Sequence, residues 1–165
     1  EEAYQRAYRK RHDMVALWVH WEMCWKYGIR CTHKWYDHQP LPIAENGEVR
    51  ITWDTTIFTD KVLKHNRPEI TVIIGQKSSA YKDTQRWTLN DIVVPADQNI
   101  TSTEKEKVEK YQELAFEITT IHRASKVMII RIVKGALGSI TEGAKTWFGR
   151  LEVPDLLGSV QLSAL

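Results

Sequence analysis

Between His12 and Tyr27 the residues Met14, Leu17, Trp18, Trp21, Cys24 and Trp25 recur at helical spacing. They predict a first helix over about residues 12–27, with Gly28 at its C-terminal end. Before it, residues 1–12 are charged. After it, residues 29–48 read as a loop, punctuated by Pro40, Pro42 and Asn46-Gly47. At Val49 the period changes: Val49, Ile51 and Trp53 alternate with Arg50, Thr52 and Asp54, the pattern of a half-buried strand, which residues 57–60 extend or bend. Asn66-Arg67-Pro68 breaks the chain. A β-branched strand, Ile70–Ile74, follows and ends at Gly75. A polar hairpin loop spans residues 76–85, and a third strand runs from Arg86 to Val94 before Pro95. Thr103 and Glu106 form a capping box at the start of a second helix, whose inner face is Val108, Tyr111, Ala115, Ile118 and His122. Lys126–Val133 is a fourth strand, Gly135-Ala-Leu-Gly138 a tight junction, and Ser139–Phe148 a third helix.

The order α-β-β-β-α-β-α predicts an α/β fold: a mixed central sheet of about four strands flanked by helices. The first three strands pair as a meander, and the fourth returns by a right-handed crossover. The length of 165 residues suits one domain with a substantial core, and 42% hydrophobic with 27% charged residues excludes a disordered tail, a coiled-coil rod or a collagen-like chain. The apolar runs are too short to span a bilayer, and residues 1–12 do not form a signal peptide. Two cysteines make no disulfide framework. These features predict an intracellular protein, nuclear or cytoplasmic, neither secreted nor membrane-bound. A net charge of +2 falls short of the strongly basic footprint of many nucleic-acid binders. Seven tryptophans are many for this length, and four lie between Trp18 and Trp35. The chain begins without Met and ends on the apolar Val160–Leu165, so we expect a piece of a longer polypeptide. Residues 1–150 form its domain, and residues 151–165 an apolar extension.

Candidate chemistry centres on Arg67-Pro68-Glu69 and on Asp91. Carboxylates at neighbouring positions of adjacent antiparallel strands can share a hard divalent cation, and the Ile92 carbonyl can add a third oxygen. Mg²⁺ or Mn²⁺ there would neutralise phosphate charge and acidify a bound water, which phosphodiester hydrolysis requires. Asp91 inside the apolar run Leu89–Val94 is costly unless paired, metal-bound or facing solvent. Lys105, Lys107 and Lys110 could contact phosphates. Their interleaving with Glu104, Glu106 and Glu109 equally describes a solvated helix face.

In order and density, these motifs resemble the PD-(D/E)XK nuclease superfamily. More closely, they resemble the restriction-like endonuclease domain at the C-terminal end of non-LTR retrotransposon polyproteins. The resemblance covers roughly residues 4–150. It is carried by His12-Asp13 and the tryptophan-rich helix, Lys34-Trp35-Tyr36, Thr59-Asp60, Asn66-Arg67-Pro68-Glu69-Ile70 and Asp91–Asp97. Glu104–Lys107, Glu109-Lys110-Tyr111 and Val133–Gly138 continue it. It implies a restriction-endonuclease-like fold and nicking of target DNA. Glu69 and Asp91 would be the acids and Ile92 a carbonyl ligand, and Lys107 or Lys110 would stabilise phosphate charge. Partners would be DNA, RNA of the parent element, and a reverse-transcriptase portion of the same polyprotein. Arg67, Lys34, Trp35 and Lys105 become candidate nucleic-acid contacts. Three departures stand out. Glu69 occupies a position that usually holds Asp. Val93 occupies the superfamily's usual lysine position. Glu69 and Asp91 lie 22 positions apart, a longer gap than usual.

Other readings stand beside this one. The domain could be a catalytically inactive nucleic-acid-binding module of the same fold, or a structural or interaction domain. Trp18, Trp21 and Trp25 fit a core face better than a base-stacking platform. Cys24, Cys31, His33 and His38 follow Cys-x6-Cys-x-His-x4-His, which matches no standard zinc finger.

Overall fold

The computed structural model describes residues 1–75, 85–93 and 110–133. The elements are α1 (Glu2–Lys26), a short 3-10 turn (Trp35–Asp37), β1 (Ile43–Glu45), β2 (Val49–Trp53), β3 (Ile70–Ile74), β4 (Arg86–Val93), α2 (Gln112–Ile121) and β5 (Lys126–Val133). The sheet order is β1-β2-β3-β4-β5. The first three pairings are antiparallel, and β4 pairs β5 in parallel. The expected capping box, the hairpin loop before Gln85, the third helix and the C-terminal extension lie outside the described residues. Among the described residues, no helix is long and apolar enough to cross a membrane.

The first helix starts ten residues earlier than its apolar stripe suggested. Residues 2–12 contain neither Gly nor Pro and are rich in Ala, Arg, Lys, Gln and Glu, which hold a helix without an apolar face. The buried face also differs from the expected one. Val15, Ala16, Trp18, Val19, His20, Met23 and Cys24 are buried, whereas Trp25 is 55% exposed and Trp21 half-buried. Trp18 alone of the three helix tryptophans belongs to the core. The helix closes as a Schellman motif. Gly28 takes φ +68°, its N–H bonds to the Trp25 carbonyl (3.3 Å), and the Ile29 N–H reaches back to the Cys24 carbonyl (2.9 Å). Buried Ile29 then packs into the cluster that contains Cys24.

The sheet has five strands rather than four, because part of the expected 29–48 loop is the edge strand β1. Its turn is built by Asn46, whose Oδ1 accepts the Glu48 and Val49 N–H groups (3.0 and 2.8 Å). At three residues, β1 is too short for alternation to reveal it. The remaining strands match the expected ones to within a residue.

Each face of the sheet has its own core. Ile51, Ile70, Val72, Ile92 and Ile130 pack against α1. On the other face, Trp87 and Leu89 pack against Tyr111, Leu114 and Ile118 from the α2 region, with Ile57 and Leu63 from the long β2–β3 connection. Alternation along β4 therefore sends Ile92 towards α1 and Asp91, like Leu89, towards α2.

Candidate active site

The β2–β3 connection carries Arg67, Pro68 and Glu69 back to the sheet. Its base is closed by the Asp54 N–H on the Glu69 carbonyl (2.7 Å). There Arg67 grips the Asp54 carboxylate with Nε and Nη2 (2.9 and 3.1 Å) and also donates to the Asp54 carbonyl (3.0 Å). Asp54 itself sits at φ +46°. The Arg67 guanidinium thus holds the turn that delivers Glu69.

In the β3–β4 ladder Ile70 pairs with Asn90 as the last pair, so Glu69 and Asp91 lie one step beyond it on the two chain segments. One step further, Pro68 would face Ile92 and has no N–H to donate, so the ladder ends. Side chains replace it. Glu69 Oε2 accepts the Ile92 N–H at 2.6 Å, and His12 Nε2 meets both Glu69 Oε1 (2.5 Å) and the Ile92 carbonyl (3.0 Å). His12 Nδ1 lies 3.1 Å from Asp13 Oδ1. Both ring nitrogens therefore face acceptors, which requires the imidazolium form. The hydrogen bond and charge of Glu69 outweigh desolvation, with a smaller contribution from Asp13, and raise the His12 pKa to about 9.

Asp91 is almost fully buried on the α2 side, its side chain only 3% exposed. The ammonium of Lys110 stands 3.7 Å from its Oδ2 and 4.9 Å from the centroid of the Tyr111 ring. The half-buried His65 lies close enough to feel both Lys110 and Asp91. Its pKa is lowered by burial first and by Lys110 and Lys64 next, against the opposing pull of Asp91. Lys64 and Lys110 thus add positive potential around the buried acid, and the same potential keeps His65 in its neutral form.

Among the described candidates, Glu69, Asp91, Ile92 and Lys110 meet at one end of the sheet. Lys105 and Lys107 lie outside the described residues. Arg67 is adjacent but committed to Asp54. Lys34 and Trp35 sit on the 3-10 turn and its N-cap: Lys34 lies 5.7 Å from the exposed Tyr36 ring, and Trp35 packs against the α1 core. His12 and His65 join the site although no spacing singled them out as ligands or bases. The one sequence signal for His12 was the His12-Asp13 step.

Two carboxylates and a carbonyl are the oxygen donors that Mg²⁺ or Mn²⁺ takes, so the residues suit a hard cation in kind. The His12 N–H already occupies two of those donors, and it must swing away before both can turn to a metal.

No family model, curated protein or solved structure matches the chain.

Proposed function

We propose that this chain is a restriction-like endonuclease domain that nicks DNA by metal-dependent phosphodiester hydrolysis. The observations carrying this reading lie at one end of the sheet: Glu69 accepts the Ile92 N–H, and Lys110 stands against the buried Asp91. A buried carboxylate held against a lysine is costly to maintain for stability alone.

In this reading Glu69, Asp91 and the Ile92 carbonyl hold the cation. The ion would neutralise phosphate charge and lower the pKa of a bound water. Lys110 would stand against the charge that develops on the phosphate, with Lys64 adding to the local potential. DNA is the substrate, and a reverse-transcriptase portion of the same polyprotein would use the 3′ end. The test is a supercoiled-plasmid nicking assay in Mg²⁺ or Mn²⁺ against EDTA, with Asp91→Ala in parallel. Metal-dependent nicking lost in Asp91→Ala supports the reading, and a folded wild-type chain that never nicks refutes it.

One observation favours the second reading, an inactive nucleic-acid-binding module. His12 is a cation already built into the protein, seated between Glu69 and Ile92. That reading predicts DNA affinity that falls with salt, is equal with and without Mg²⁺, and is unaffected by Asp91→Ala.

A further inference from the structure

We propose a second metal site, independent of the nuclease reading, in which His20, Cys24 and His38 bind a zinc-class cation between α1 and the loop that follows it. His20 and Cys24 are one helical turn apart on the buried face of α1. His38 follows the 3-10 turn, whose geometry is held by its own N–H on the Trp35 carbonyl (3.1 Å). All three side chains are buried, and their ligand atoms lie within 4.8 Å of one another. His20 Nδ1 is 2.7 Å from His38 Nε2 and 3.7 Å from the Cys24 sulfur. The two imidazoles stack with centroids 5.0 Å apart, and the Trp53 ring meets His20 edge-on at 5.2 Å.

As pure core, this cluster is poorly satisfied. A single hydrogen bond joins the imidazoles, so two buried rings and a thiol share one good polar contact. Cys24 itself belongs to an apolar core cluster with Val15, Ala16, Val19, Met23 and Ile51. An apolar trio at these positions would pack without that cost.

As a metal site, the cluster has the right chemistry. Two imidazoles and a thiol are the donors of zinc sites, and the burial excludes competing water. Bonds of about 2.0–2.1 Å to nitrogen and 2.3 Å to sulfur set tetrahedral edges of roughly 3.6 Å for N–S and roughly 3.3 Å for N–N. The observed N–S separation of 3.7 Å already fits. The 2.7 Å N–N contact is a hydrogen bond, which opens slightly when two metal bonds replace it. Desolvation first, and then the neighbouring imidazole of His38, lowers the His20 pKa to about 4; desolvation also lowers that of His38. Both rings are therefore neutral at pH 7, the form that ligates metal. Binding forms an S–metal bond at Cys24 and releases the thiol proton to solvent. The fourth position falls to water or to Cys31, which packs against the same cluster and interacts electrostatically with Cys24. A Cys31 thiolate would make the site neutral overall, which suits its apolar surroundings. Bound metal would fasten the 29–42 segment, with Trp35 and Tyr36, to α1.

The test uses the whole chain, stripped of metal under reducing conditions and titrated with Co²⁺ and then Zn²⁺. The expected result is one equivalent of Co²⁺ with intense tetrahedral visible bands and a thiolate-to-cobalt charge-transfer band, both lost when Zn²⁺ displaces it. In native mass spectrometry the purified chain carries one zinc, and zinc shields Cys24 from alkylation. His38→Ala and Cys24→Ser should weaken binding more than about 100-fold, beyond the loss of an outer-shell partner. Absence of the charge-transfer band in folded wild-type chain overturns the proposal. Unchanged Cys24 alkylation with zinc also overturns it, as does equal metal uptake by wild type and both variants. These readouts on wild type stand even if the variants misfold.

Discussion

Replacing His12 by Gln removes the imidazolium from the end of the sheet and keeps an amide that can donate to Glu69 or the Ile92 carbonyl. In the folded protein the His12 pKa is raised to about 9 from the ordinary 6.5, chiefly by Glu69. The difference of about 2.5 units, at about 1.4 kcal/mol each, is worth about 3 kcal/mol. The side chains of His12 and Glu69 are 21% and 24% exposed, so we take this as an upper bound. Because the folded pKa is the higher one, the stabilisation is fully present below about pH 6.5, where both states bind the proton. It decays as pH rises and is gone above about pH 9. The assay is urea unfolding of wild type and His12→Gln at about pH 6, 7.5 and 9.5. Groups such as Cys31 and His65 titrate alike in both proteins and cancel in the difference. The stability gap should shrink by as much as about 3 kcal/mol from the acid to the alkaline condition. A gap that is constant across the range would refute the ion pair, and a gap that widens with pH would reverse its sign.

The burial along α1 predicts a sharp contrast. Trp18→Ala should cost about 3–5 kcal/mol because Trp18 is core, whereas Trp25→Ala should cost less than about 1 kcal/mol; thermal unfolding of both variants checks it. Arg67→Ala removes a bidentate pair with Asp54 in which both side chains are more than half exposed, so the stability cost should stay within about 1 kcal/mol. Because that guanidinium is already engaged, the salt slope of DNA binding should not change, as fluorescence anisotropy would show. Lys110→Met should lower metal-dependent nicking by about a hundredfold or more while DNA binding holds, a split that single-turnover nicking and anisotropy separate. Leu114→Ala should cost about 2–5 kcal/mol by opening the α2 face of the core, read from the denaturation midpoint.

Much of the architecture is legible in local pattern. Alternation at Val49–Trp53 and β-branched runs at Ile70–Ile74 and Lys126–Val133 mark their strands, because a pleated, half-buried surface demands those side chains. Gly28 marks the end of α1, because a Schellman turn needs the left-handed conformation there. The limits are equally physical. The helix before His12 has no apolar face to betray it. The three tryptophans misled about the rotation of α1. A tryptophan at the edge of a helix face can rest its ring on the surface, while the small Ala16 and polar His20 take the buried positions.

For the candidate site, the sequence determined which chemical groups exist and which strands carry them. Glu69 precedes one strand and Asp91 lies two residues before the end of another, and antiparallel pairing of those strands brings both to one end of the sheet. That Pro68 cannot donate an N–H is also a property of the residue itself. Only tertiary structure brought His12 across from α1 to fill the broken ladder, set Lys110 against Asp91, and closed His38 onto His20 and Cys24. Those partners are separated by 80, 19 and 18 positions for His12–Ile92, Lys110–Asp91 and His38–His20. Periodicity registers neighbours within a turn or across a tight hairpin. Contacts between distant segments depend on how the helices dock on the sheet, and that docking is decided by the summed burial of both cores rather than by any local motif.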